Sequence, residues 1–395
     1  MKKEVLFLIS PMLHQGGFER VCVQTARLLA PYYDVRIVIF DDHDIAYDVT
    51  GLSLLNLNLG VRKSLPGKLL NVFRRSAALK KLKLKEMPVA AYSFGPTANY
   101  VNCLSKTKGT RVIAGLRSFT NVESPRQIRL FIKRSDLIIS CSETIRNEMR
   151  ERYNYARCVT LYNPFDLKGI REQADKENPG LPWDAQEKPF VIAASGWLAP
   201  LKGYWHMLKA FSVLHKSEER ARLLILGDGD PCEYEKLAEE LGIREQVFFA
   251  GMQKNPFAYL TRCDAFLMTS ENEGFPNALV EGMALGLPAV SVDCESGPRE
   301  ILLSEREKKE VPKNLKEPYT ASYGILCPPV TKGENFDPSV IEKEEEMIAD
   351  ALLKLMRDRE LYKQLSEGAR ERAGELGSDK YLEKLLSLLE ESERT

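Results

Sequence analysis

No two of the eight cysteines in this 395-residue chain stand closer than 17 positions apart, which excludes paired C-x-x-C metal or redox motifs and suits reduced, buried thiols. Histidine is scarcer still. Four in the whole sequence are too few to suggest a His-based metal site. Long apolar runs are also missing: the longest near the start, Val5 to Ile9, follows only two lysines and precedes no small-residue cleavage site. A signal peptide and a spanning helix are therefore excluded, and a cytoplasmic protein is expected. Neither half has a G-x-G-x-x-G after a strand with an acid about 20 positions on, so a dinucleotide-dependent dehydrogenase is unsupported. No internal repeat or low-complexity tract is present.

What the chain does have is a globular composition, 44% hydrophobic and 28% charged, and too much length for one core of ordinary size. Net charge is zero, yet residues 1–170 hold 27 Lys+Arg against 14 Asp+Glu, and the remainder holds 29 against 42. So polarised a chain either offers a basic lobe to an anionic partner or matches one lobe to the other. Short β-branched or aromatic runs at 5–10, 35–40, 89–94, 111–115, 137–140 and 159–161 alternate with helical stretches, among them Glu19 to Leu29. A second series has strands at 190–194, 223–226, 247–249, 265–268 and 289–292, with helices near 204–214, 232–241 and 277–285. This alternation predicts two α/β halves, each a doubly wound parallel sheet. The Pro-rich stretch Lys176 to Pro189 marks the boundary, giving domains at 1–180 and 181–375 and a C-terminal helix, 376–395, free to pack back on the first. Residues 305–320 read as a surface loop and 342–391 as amphipathic helices. In open α/β sheets ligands bind beyond the carboxyl ends of the strands, so the loops at 10–18, 195–203, 270–277 and 293–299 are the ones of interest.

The most informative segment runs from Ser270 to Pro288. Pro276 suits a first helical turn, Gly286 a C-terminal cap and Pro288 a stop, which predicts a helix over about 276–285. Within it Glu281 is the one charged residue between Gly274 and Val292. A carboxylate buried among apolar neighbours needs partners, either sugar or ribose hydroxyls or an arginine from elsewhere. Glu273 stands just before the same helix, whose N-terminus is a natural anion site. With its frame E-G-F-P-x-x-x-x-E-x-x-A-x-G-x-P, the sequence resembles the retaining glycosyltransferases of family 4, in which Glu273 and Glu281 form the E-x7-E motif. The early Gly16-Gly17 loop, Asn163-Pro164, Gly196, Lys202-Gly203, Gly227-Asp228-Gly229 and Tyr323-Gly324-Ile325-Leu326 follow the family's order over nearly the whole chain.

The resemblance implies a GT-B fold, two Rossmann-like domains facing a central cleft, and retaining transfer of a sugar from a nucleotide-sugar donor held mainly by the C-terminal domain. The acceptor, a glycan or lipid-linked saccharide, falls to the N-terminal domain, and nucleic acid is not an expected partner. It also implies that Glu281 binds ribose hydroxyls, Glu273 the donor sugar hydroxyls, and Asn277, Ala278 and Leu279 the diphosphate through backbone N–H groups. Phe275 and Gly196 belong to the same donor-binding set, and Lys202 is the cation opposite charge building on the departing diphosphate. A second cation, an Arg after the glycine, is replaced by Trp197, so either Lys202 and the helix N-terminus suffice or a basic residue from elsewhere, such as Arg117 or Arg299, supplies the charge. Gly16 and Gly17 would let the backbone approach the diphosphate, with His14 in the same loop, and no general base is assigned. Asp228-Gly229-Asp230 has the outline of a D-x-D metal motif but reads as a turn capping the next helix, so no metal and no other cofactor is expected. A UDP-sugar is the favoured donor. A nucleotide-sugar epimerase of the same fold and a non-catalytic two-lobed sugar-binding protein are the alternatives.

One further segment stands out. Between Arg62 and Lys85 there are nine basic residues (62, 63, 68, 74, 75, 80, 81, 83, 85) and no acidic ones. On a helix, Leu69, Val72, Phe73, Ser76 and Leu79 follow 3- and 4-residue spacing, giving an apolar stripe flanked by cations. Such a helix either lies in an anionic membrane surface or packs its stripe on the sheet.

Overall fold

The computed structural model describes residues 3–14, 16–43, 45–62, 64–183 and 189–390. Two compact units result, unit 1 from Met1–Pro164 with Ser378–Thr395, and unit 2 from Phe165–Gly377. Lys63, residues 184–188 of the proline-rich stretch and the last five positions lie outside the described residues.

Unit 1 opens with β1 (Val5–Ser10), α1 (Gly17–Leu29), β2 (Asp34–Ile39), β3 (Ser53–Asn56), α2 (Leu65–Glu86) and β4 (Ala90–Phe94). It continues through α3 (Pro96–Leu104), β5 (Arg111–Leu116), α4 (Pro125–Arg134), β6 (Leu137–Ser140), α5 (Glu143–Tyr153) and β7 (Cys158–Thr160). Seven parallel strands lie in the order β3-β2-β1-β4-β5-β6-β7. Residues 5–9 are apolar without alternation because β1 is central and covered on both faces, and Leu6, Phe7, Leu8 and Ile9 are wholly buried.

Unit 2 begins with α6 (Leu167–Ala174) and β8 (Phe190–Ser195), then α7 (Tyr204–Ser217), β9 (Ala221–Leu226), α8 (Cys232–Glu240), β10 (Val247–Gly251), α9 (Pro256–Leu260) and β11 (Ala265–Met268). There follow α10 (Asn277–Ala284), β12 (Ala289–Val292), α11 (Pro298–Leu302), α12 (Glu307–Glu310), β13 (Tyr319–Ala321), β14 (Gly324–Cys327), α13 (Lys343–Arg357) and α14 (Arg359–Glu375). The sheet order is β10-β9-β8-β11-β12-β14-β13, parallel except for the edge strand β13. The last helix, α15 (Ser378–Glu390), belongs to unit 1, where Tyr381 hydrogen-bonds Thr25 of α1 at 2.7 Å and Leu385 is fully buried.

Several expectations change. The crossing into unit 2 falls after Pro164, ahead of the proline-rich stretch, because Phe165 bridges Gly377 and α6 packs on α9 and α10. Residues 305–320 contain the single turn α12 and the start of β13, since Glu307 accepts the Ser304 and Ser322 amides and so orders the segment. Pro276 is the N-cap of α10, not its first residue, with an extended backbone at ψ 104°. On α2, Leu69 and Phe73 point outward whereas Ser76 and Leu79 are buried, so the stripe read from spacing straddles two faces. All eight cysteines are free thiols, seven buried and Cys232 exposed.

Candidate active site

In each sheet the strand order reverses beside the first strand, between β1 and β4 in unit 1 and between β8 and β11 in unit 2. Loops leaving the carboxyl ends of two such strands diverge to opposite faces and open a crevice. In unit 2 these are the loops after Ser195 and after Met268, which bear Lys202 and Glu273.

The two loops are bonded to each other. Glu271 N donates to Leu201 O at 2.9 Å, and Thr269 Oγ1 donates to Gly203 O at 2.9 Å with Lys202 O at 3.3 Å. Gly203 is left-handed (φ +61°), and a Cβ there would lie 2.3 Å from Thr269 O, so only glycine lets α7 start this close to β11. Residues 200–202 form one 3-10 turn that ends by presenting Lys202. Its Nζ is 2.6 Å from Glu273 Oε1, and the two side chains are 31% and 11% exposed. The carboxylate's charge adds to burial in raising the Tyr204 and Cys294 pKa values.

Helix α10 explains why Glu281 tolerates an apolar sequence around it. The helix is buried nearly all round, and Gly282 packs so closely on β11 that a Cβ would meet the Phe266 ring at 2.8 Å. Its C-terminal end is met by α14, with Ser366 Oγ donating to Gly286 O at 2.7 Å and Arg370 to Leu285 O at 3.4 Å. A cation here complements the helix dipole. The N-terminal end has no side-chain cap, and Asn277 and Ala278 are half-buried, so first-turn N–H groups are presented beside Glu273. Glu281, 7% exposed, sits one turn further on. Helical side chains tilt toward the N-terminus, which directs its carboxylate toward Asn277. Leu279 is buried, and Phe275 lies 6.4 Å, centroid to centroid, from Phe165.

Gly196 continues β8, where its carbonyl accepts Tyr204 OH at 3.0 Å. Trp197 beside it is 66% exposed. Arg299, one candidate for the missing cation, pairs with Asp293 and donates to the carbonyls of Val311 and Pro312. Arg117 lies in unit 1, bonded to Asn163 Oδ1 at 3.0 Å and to Tyr92 OH, over the Phe94 ring at 4.9 Å. Asp228 and Asp230 accept the amides of Gly229 (2.9 Å) and Cys232 (3.0 Å), as turn residues do, and the N-cap of α8 is Pro231, without a side-chain cap.

Two residues carried no sequence signal strong enough to single them out. His206, fully buried on α7, has Nδ1 2.7 Å from Glu345 Oε1 and Nε2 3.0 Å from Thr331 O, tying the first turn of α7 to α13 and to the 331–333 loop. That loop in turn places the Gly333 amide 2.8 Å from Glu271 Oε1. The other is Glu19. Gly16 and Gly17 do open α1, but Gly16 is extended and pinned by Tyr47 OH, and the space a Cβ would need there is filled by Glu19 Oε2, 2.0 Å away. Its three-residue distance from Gly16, the spacing of a helix-capping acid, was the available clue.

Burial raises the Glu19 carboxyl to about 7 from 4.5, and Oε2 has no hydrogen-bond partner among the described residues. The folded protein therefore binds this proton more tightly than the unfolded chain. Stability is greatest below about pH 4.5 as far as this group is concerned, and it falls as pH rises toward about 7. Glu19→Gln should remove that slope and stabilise unit 1 by about 3 kcal/mol above neutrality. Thermal melts of both proteins at about pH 5 and about pH 8 check this, and parallel shifts would refute it.

Comparison with known proteins bears on unit 2. Residues 181–319 match the family model of glycosyl transferases group 1. The group 1 segment contains Lys202, Glu273 and Glu281. An uncharacterized glycosyltransferase of Methanocaldococcus jannaschii is 29% identical over 268 residues, covering 66% of this chain and 65% of that protein. The Campylobacter jejuni N-acetylgalactosamine-N,N'-diacetylbacillosaminyl-diphospho-undecaprenol 4-alpha-N-acetylgalactosaminyltransferase is 26% identical, over 76% of this chain and 83% of its own. In fold the chain is similar to Anabaena HepE, crystallised in complex with UDP, at a TM-score of 0.75, 17% identity and coverage of 99% and 100%. Family match, relatives and two parallel-sheet domains together support a GT-B glycosyltransferase. Among the described residues no helix is long and apolar enough to cross a membrane.

Proposed function

We propose that this chain is a retaining hexosyltransferase of family 4. It would move a sugar from a nucleotide-sugar, a UDP-sugar by preference, to a glycan or lipid-linked saccharide in cell-surface polysaccharide or glycolipid synthesis. The observation that carries the reading is the Lys202–Glu273 pair at 2.6 Å, set at the carboxyl ends of β8 and β11 beside the N-terminus of α10. A nucleotide-sugar has complementary parts at matching places. Sugar hydroxyls take the Glu273 carboxylate, the diphosphate takes Lys202 and the α10 amides, and the ribose diol takes Glu281. Lys202 and Glu273 then exchange each other for the donor, and breaking the sugar–phosphate bond leaves negative charge on the diphosphate opposite Lys202. HepE binds UDP, and the Campylobacter relative is named for a diphospho-undecaprenol acceptor, which supports the donor and acceptor classes.

The reaction is proposed to need no metal, because Lys202 and the α10 amides can meet the diphosphate charge and both Asp228 and Asp230 are taken up by backbone amides. Activity is expected to survive chelation. If a chelator abolishes it and Mn²⁺ restores it, the metal-free reading fails.

A thermal-shift screen of UDP-, GDP- and ADP-sugars tests the donor site, since a ligand bound only by the native state raises its melting temperature. Glu281→Ala should weaken donor binding by about 2 kcal/mol, and Glu273→Ala should act chiefly on turnover, because only Glu273 is assigned to the reacting sugar. No shift with any nucleotide-sugar, or wild-type kinetics in both variants, would remove the assignment. Retention is read from the anomeric configuration of the product. As a transferase of lipid-linked saccharides, the protein would work at the inner face of a membrane.

A further inference from the structure

Helix α2 is apolar on two sides. Its inner face packs Leu79 into the core with Val72 and Leu82 against it, and adds two basic anchors: Arg75 donates to Leu59 O at 2.8 and 2.6 Å beneath the Phe40 ring, and Lys83 Nζ donates to Asn102 Oδ1 at 2.7 Å. Both cations are buried, and burial lowers the Lys83 pKa to about 7. Leu69, Leu70, Phe73 and Leu84 instead face outward, as does Met87 at the C-cap, each between 50% and 77% exposed.

At 100° per residue, Leu69, Phe73, Pro66, Leu84, Ala77 and Leu70 fall within about 100° of the helix circumference. Lys80 lies in the same sector, and Lys81 and Arg74 border it. Lys68, Arg74, Lys80 and Lys81 are exposed and have no carboxylate partner among the described residues. An apolar ridge of this kind, about 33 Å long for 22 residues, forfeits its burial energy unless something covers it.

We infer that α2 is a docking helix for an anionic phospholipid surface, with Leu69, Leu70, Phe73 and Leu84 inserted at the acyl boundary and Arg74, Lys80 and Lys81 on the headgroups. Charge identifies the occupant as anionic, for no acidic residue lies between Arg62 and Lys85. The apolar side chains form a protruding ridge interleaved with cations, which suits a deformable interface that accepts both together. The helix lies along the surface and does not enter it end-on. The inference concerns unit 1 alone and is independent of the donor site.

Sedimentation with vesicles tests it, comparing phosphatidylcholine alone with a mixture containing phosphatidylglycerol, at low and high salt. The full chain should pellet with the anionic vesicles at low salt and much less with neutral ones. Arg74→Ser, Lys80→Ser and Lys81→Ser combined should weaken binding about 100-fold, since each basic residue near such a surface is worth about fivefold. Leu69→Ser, Leu70→Ser and Phe73→Ser combined should weaken it at least about tenfold at unchanged charge. No binding to anionic vesicles at low salt, or equal binding to neutral ones, overturns the proposal. Undiminished binding by the apolar triple variant also overturns it, and points to an acidic macromolecule held by charge alone. Circular dichroism melts and nucleotide-sugar thermal shifts should match wild type in both variants, so failure here and failure of the transferase reading are separable.

Discussion

Turnover by the Lys202→Ala variant is expected to fall by about 10²–10³, the loss typical of removing one preorganised electrostatic stabiliser at a site of developing charge. Donor affinity should change much less. In the ligand-free protein Lys202 is paired with Glu273 at 2.6 Å, so binding the donor exchanges one anionic partner for another and gains little. The gain comes when the sugar–phosphate bond breaks and charge on the leaving diphosphate rises. Steady-state kinetics separate the two: a raised KM with unchanged kcat would mean that Lys202 only holds the donor. Lys202→Arg should recover part of the rate, as the charge remains although a guanidinium fills the pocket differently.

Gly227→Ala is expected to destabilise unit 2 by about 3–5 kcal/mol, at the upper end for a single substitution. The backbone there has φ +149°, and a Cβ would lie 1.8 Å from Gly196 O, a carbonyl that already accepts the Tyr204 hydroxyl at 3.0 Å. The obstacle is backbone, so no side-chain rotation relieves it. Either the β9–α8 turn or the loop from Gly196 to Gly203 must move, and the second carries Lys202. The variant should therefore lose its nucleotide-sugar thermal shift along with its stability. Gly242→Ala is the control: it too has a positive φ, +73°, but nothing within 4 Å of the added carbon, so only the conformational cost of about 1 kcal/mol applies. Equal destabilisation by the two would show that steric overlap at Gly196 is not the cause.

Local pattern settled much about this protein without any tertiary information. Central strands such as β1, β11 and β12 are buried on both faces, so they read as short continuous apolar runs, and their limits match the sequence reading at or within a residue. Alternation with helices then implies two parallel sheets, because parallel strands need crossovers. The Glu273–Glu281 segment was legible because an isolated acid in a buried apolar helix is conspicuous wherever the chain goes. Two of the four edge strands, β3 and β13, were not. β3 is a four-residue strand of mixed burial at the rim of its sheet, and β13 pairs only with β14, so neither needs a strong pattern.

What only the tertiary structure decided is which side chains meet. Lys202 and Glu273 are 71 residues apart and are joined because β8 and β11 are neighbours at the switch in strand order. The partners of Arg299, Asp293 and two carbonyls from the segment after α12, were likewise invisible in the sequence. On α2, spacing could locate an apolar stripe but not the side that faces the sheet. That choice depended on the core that receives Leu79 and on Leu59 and Asn102, which Arg75 and Lys83 reach, and it left Leu69, Leu70 and Leu84 outside. Periodicity fixes which residues share a face, whereas the identity of the inward face depends on what the rest of the chain places opposite it.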